Sequence, residues 1–112
     1  MNKKELNNKE NKKENPVFLE QWKQQFEVVS IEVEVNDAEK IAAYFKKPDF
    51  ILLSAAQMTC GNDYAKMSQF LLNSCYLGGF DVPNCKDLQI LLAFSSVFNE
   101  LLQPKKASLK NV

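Results

Sequence analysis

Apolar residues return along this chain with two different periods. Between Val17 and Phe26 the large ones, Phe18, Leu19, Trp22 and Phe26, recur at helical spacing, with Glu20, Gln21, Lys23 and Gln24 between them. Pro16 stands where a helix start tolerates proline, so a short helix is predicted over 17–26. The period then drops to two. Val29, Ile31, Val33 and Val35 alternate with Ser30, Glu32 and Glu34, the pattern of a half-buried strand rich in β-branched residues. Asn36, Asp37, Ala38 and Glu39 supply turn chemistry. Ile41, Ala43 and Phe45 next alternate against Ala42, Tyr44 and Lys46. Lys40–Lys46 therefore reads as the second arm of an antiparallel hairpin with Val28–Val35. Ala and Lys would also suit a helix there; Tyr44, Phe45 and the stop at Pro48 favour the strand.

Helical signals fill the second half. Pro48 and Asp49 mark a helix start, with Asp49 as N-cap. Phe50–Met58 is apolar nearly all round, which describes a helix buried on most sides. Gly61 stops it, and Asn62 or Asp63 caps the next helix, Tyr64–Leu77, whose stripe is Tyr64, Met67, Phe70, Leu71, Leu72 and Cys75. Gly78 or Gly79 supplies the left-handed residue past its end. A link with Pro83 leads to the last helix, Asp87–Gln103, closed by Pro104. That helix carries two apolar lines. One is Leu88, Leu91, Ser95, Phe98 and Leu102; the other is Ile90, Phe94, Val97 and Leu101. Packing on a sheet needs only about a third of a helix's circumference apolar. The Ile90–Leu101 line, with Trp22 nearby, is therefore expected to be partly exposed and to bind a partner. Trp22, the single tryptophan, reads as core packing or as an anchor for that partner.

The expected architecture is α+β: a short N-terminal helix, a two-stranded antiparallel β-hairpin, then three α-helices packed on it, in one domain over 16–104. Residues 1–15, MNKKELNNKENKKEN, contain only two large apolar residues and are expected to form a disordered tail. Residues 105–112, KKASLKNV, are expected to form a flexible basic tail.

Composition removes most catalytic classes. Fourteen Lys balance fourteen acidic residues, and there is neither His nor Arg. The missing His removes the commonest general base and zinc ligand, and excludes Ser-His-Asp and Cys-His arrangements. The missing Arg argues against base-specific DNA reading. Cys60, Cys75 and Cys85 are odd in number and match no CxxC spacing, so three reduced thiols are expected and no metal. Gly78-Gly79 lacks the Lys-Ser or Lys-Thr of a phosphate loop. Glu32 and Glu34 share a strand face but read as solvated charge, as do the doublets Lys46-Lys47 and Lys105-Lys106. No apolar run reaches the roughly 18 residues of a membrane span. No cofactor, catalytic residue or membrane partner is implied. A protein-binding role remains, with self-association as one form of it.

Read in order, FLEQWKQQF, VVSIEVEV, AAYFKKPD, LLSAA, NSCYLGGFD and ASLKNV resemble a family of small tailed-bacteriophage proteins, of the Bacteroidetes-phage type, that includes tail assembly chaperones. The resemblance runs from the Trp22 segment to the C-terminus. NSCYLGGFD is similar to the family's Asn-x-Cys-aromatic-x-Gly-Gly-Asp segment, although Phe80 follows Gly-Gly where an acidic residue is usual. ASLKNV is similar to its Leu-Lys-Lys-Leu ending, with Asn111-Val112 in place of the last Lys-Leu. Pro48, Asp49, Asn73, Cys75, Tyr76, Gly78 and Gly79 carry over as a structural signature only. The resemblance implies a non-enzymatic protein that binds a tail component, the tape-measure protein, in the host bacterial cytoplasm during virion assembly. Two other roles fit the same residues: a small structural protein retained in the virion, or a small regulator of a host protein or nucleic acid.

Overall fold

The computed structural model describes residues 14–112, so the disorder expected for residues 1–13 lies outside the described residues. The sheet has four strands: β1 (Glu14–Asn15), β2 (Val28–Asn36), β3 (Glu39–Lys46) and β4 (Tyr76–Phe80). Their spatial order is β1-β4-β3-β2, and every neighbouring pair is antiparallel. The described helices are α1 (Leu19–Lys23), α2 (Phe50–Cys60), α3 (Tyr64–Cys75) and α4 (Leu88–Phe98), with 3-10 turns at Val82–Asn84 and Asn99–Leu102.

This arrangement corrects the expected architecture. The protein is α+β, but its sheet has four strands rather than two, and its helices are interleaved with them rather than following a hairpin. The hairpin itself forms, with Ile31 opposite Ala43 and Val33 opposite Ile41, and an irregularity between Glu34 and Asn36. Asn36 accepts from the Ala38 N–H through its side chain at 2.9 Å and so tightens the turn.

The error arises at Tyr76. The third helix ends there instead of running to Leu77, and the expected helix stop at Gly78-Gly79 is a strand. Strand β4 slots between β1 and β3, pairing Ala43 with Gly79 and Tyr44 with Gly78. Glycine is normally depleted in strands, but here other groups approach too closely for a side chain. A Cβ at Gly79, where φ is +88°, would lie 2.6 Å from the Ala42 carbonyl oxygen. A Cβ at Gly78 would meet the Pro16 carbonyl oxygen and the Trp22 ring, at 2.4 and 2.6 Å. Strand β1 also moves a boundary: Glu14 and Asn15, assigned to the tail, pair with Phe80 and Gly79.

The core lies on one face of the sheet. Ile31, Val33, Ile41, Ala43 and Phe45 point into it from the hairpin, Leu71, Leu72 and Cys75 from α3, and Phe94 and Phe98 from α4. Its centre is aromatic: Phe45 sits 5.5 Å from Phe98 and 6.1 Å from Phe94, centroid to centroid, and Phe80 stacks on Phe94 at 6.0 Å. Each buried Phe contributes about 1.5–3 kcal/mol through its apolar area. All the longer helices begin with an aspartate N-cap. Asp49 accepts from the Leu52 N–H, Asp63 from the Lys66 N–H, and Asp87 from those of Gln89 and Ile90. Two helices are shorter than their apolar spacing predicts: the first covers only Leu19–Lys23, and the last passes into a 3-10 turn at Asn99. Residues 105–112 form no regular structure and are exposed.

Candidate functional site

Helices α3 and α4 lie side by side over the sheet and leave a furrow between them. Ser68 of α3 donates a hydrogen bond to the Asn99 side chain just past α4, at 3.2 Å, and so ties the two elements together. On α3 the residues facing the furrow are Ala65, Gln69, Leu72 and Asn73; on α4 they are Leu88, Leu91, Leu92 and Ser95. The α4 set falls at i, i+3, i+4 and i+7 and the α3 set at i, i+4, i+7 and i+8, so each is one face of its helix. The 3-10 turn closes one end with Val82, Pro83 and Cys85. Leu72 and Val82 are fully buried in the floor. Leu88 and Leu92 form an exposed rim, at 67% and 58% of their full accessible surface.

The chemistry of this groove is simple. Its volume is about 260 Å³ and no charged residue lines it. Small-molecule sites usually span about 300–1,000 Å³ and enclose most of their ligand. A shallow, uncharged furrow with a leucine rim instead suits apolar side chains projecting from a partner's helix. Gln69 and Asn73 on the opposite rim supply polar atoms that can register such a helix. The Cys85 thiol points to the Asp87 carbonyl at 3.7 Å, a weak contact within the groove wall.

The residues expected to bind a partner separate. Phe94 is wholly buried in the aromatic core, which removes it from any binding face of the folded chain. Ile90 and Leu101 are half-buried and pack against that core, while Val97 is 43% exposed. Trp22 is not beside them. It lies against Tyr44, whose chain neighbours Ala43 and Phe45 point into the core, so Trp22 covers the opposite face of the sheet. There it meets Phe18 edge-on at 6.2 Å and seats on Gly78.

Of the groove's α4 leucines, Leu88 and Leu91 belong to the line left to face the sheet, yet Phe98 on that same line is wholly buried, so neither line holds together. Side-chain size was the available signal. Phe94 and Phe98, four residues apart, are the largest groups on α4, and both turn inward. Leu88 and Leu92, also four apart, lie on the other side of the helix.

The signature residues do structural work. Pro48 and Asp49 start α2, and Asn73 lines the groove. Tyr76 donates its hydroxyl to the Gly79 carbonyl at 3.0 Å and accepts from Asn15 at 2.9 Å, fastening β1 to β4. Burial pushes the Tyr76 hydroxyl pKa up, against the Asn15 hydrogen bond, which lowers it. Burial likewise pushes the Cys75 thiol up to about 11; nearby Lys46 opposes the rise and Asp49 adds to it. A thiol held neutral is a poor nucleophile. Cys60, Cys75 and Cys85 are all free. Among the described residues no group of three or more His, Cys, Asp or Glu side chains could hold a metal ion. Glu32 and Glu34 are exposed on β2, with Glu34 near Lys40 at 3.9 Å.

No protein-family model, no curated protein and no solved structure matches the chain. No helix among the described residues is long and apolar enough to cross a membrane.

Proposed function

We propose that this is a non-enzymatic binding protein whose α3–α4 groove receives an amphipathic helix of a partner, as a tail assembly chaperone would hold part of a tape-measure protein. The observation carrying this reading is the exposed leucine rim, Leu88 and Leu92, above an uncharged apolar floor. Leucines left in water beside an uncharged furrow are a cost to the isolated chain that a helical partner removes. The resemblance supplies the partner class. A tape-measure protein is long and helical, and shielding its apolar stripes until tube subunits replace the chaperone requires a groove of this kind. Such work is done in the host bacterial cytoplasm.

The test is a pull-down from infected cells with the tagged chain, read by mass spectrometry, beside the variant Leu88→Asp with Leu92→Asp. Both positions are exposed, so the variant should keep its circular dichroism and melting temperature while losing the tail component. Retention of that component by a folded variant would overturn the assignment to this groove. Recovery of the protein from purified virions would instead favour a structural role. Strongly salt-dependent binding to DNA or RNA would favour a regulatory one.

A further inference from the structure

Helix α2 leaves a second apolar surface uncovered, and it differs from the groove in kind. We infer that this face pairs with the same face of a second copy, in an antiparallel contact about a two-fold axis. The helix, FILLSAAQMTC, contains no charged residue. It turns Ala56, Leu52 and Leu53 toward the core, while Phe50, Ile51 and Met58 are exposed at 80%, 81% and 88%. Successive residues advance by about 100° around a helix, which places Phe50, Ile51, Ser54 and Met58 on one side. The large groups sit at the two ends of this stripe, with Ser54 and Ala55 between them. Ile51 and Met58 are two turns apart, about 10.5 Å along the axis.

That order of sizes is self-complementary. Turned end for end, a second copy lays its Met58 over the first copy's Phe50 and Ile51, and the reverse. The small residues then meet at the centre, where the backbones approach most closely. Opposed helix dipoles favour the same orientation. The three large side chains expose roughly 450 Å² per copy, on the about 150 Å² or more that each large side chain presents. Two such faces bury on the order of 900 Å² in all, the scale of a weak contact that forms at high concentration and parts on dilution. None of these residues lines the α3–α4 groove, so pairing leaves the groove open in both copies.

Sedimentation of the full chain across the micromolar range tests this, with Ile51→Glu, Met58→Lys and the double variant. The parent chain should sediment as a dimer that dissociates on dilution. Each single variant should be a folded monomer, its dissociation constant raised about a hundredfold or more by desolvating an unpaired charge. The double variant should regain the dimer, because antiparallel pairing sets position 51 of each copy against position 58 of the other. A parent chain that stays monomeric, or a dimer that survives either single substitution, would overturn the inference.

Discussion

Helices α2 and α4 look alike in sequence and behave differently. Each is eleven residues long, each starts on an aspartate cap, and neither contains a charged residue. Yet α4 drives Phe94 and Phe98 completely into the core, while α2 completely buries only Ala56. The difference lies in which sizes fall on which side. The inward positions of α4 carry two phenylalanines that reach the sheet's own Phe45 and Phe80. The inward positions of α2 carry an alanine and two leucines, and its phenylalanine begins the helix pointing away. Apolar composition alone therefore does not tell a core helix from a surface one. The placement of the bulk does.

Substitutions should widen this contrast in a definite order. Phe94→Ala removes a ring packed against two others, and should cost about 3–5 kcal/mol in urea unfolding. A loss under about 1 kcal/mol would mean that the Phe94 ring does not hold α4 to the sheet. High pH should come next. Burial raises the folded Cys75 pKa to about 11 from an ordinary 9.0. The neutral thiol's contribution is thus intact below pH 9 and disappears as the pH climbs toward 11. Replacing Cys75 by Ala should flatten that part of the stability profile, and a thiol reagent should modify Cys60 and Cys85 before Cys75.

The caps should then separate the two helices more finely. Asp87→Ala should cost about 1 kcal/mol of global stability. Asp49→Ala should act mainly as faster amide exchange within α2, which less burial holds in place. Equal global losses at both caps would erase the distinction between the helices. The smallest effect belongs to Ile51→Ala, within about 0.5 kcal/mol when measured on dilute monomer.

The hairpin was legible because alternation of apolar and polar residues over Val28–Lys46 is a local signal that only a half-buried strand produces. The start of α2 was legible through Asp49, and that of α3 through Asn62 or Asp63. Strand β4 was not, because Tyr76-Leu77-Gly78-Gly79-Phe80 carries two residues that strands avoid. Their reason is distant in sequence: the Ala42 carbonyl and the Trp22 ring occupy the space where side chains would stand. A two-residue strand such as β1 has no periodicity to read at all. The groove was half legible. The surplus of apolar surface on the last helix announced that some of it stays wet. Neither line stays wet as a whole: Phe94 and Phe98, one from each, turn toward the phenylalanines of β3 and β4, and no single-helix pattern contains that information.

Strand β1 has a practical consequence for anyone handling the protein. Trimming a polar leader is a routine way to tidy a small domain for crystals or spectroscopy, and Pro16 is the obvious place to cut. That cut would discard Glu14 and Asn15, the two residues that close one rim of the sheet, and with Asn15 the donor to the Tyr76 hydroxyl. The Gly79-Phe80 rim would then offer bare N–H and C=O groups to any neighbouring molecule, and the shortened material should cloud and precipitate on storage. A cut before Glu14 keeps that rim closed, and turbidity of the two preparations over a week at equal concentration would tell them apart.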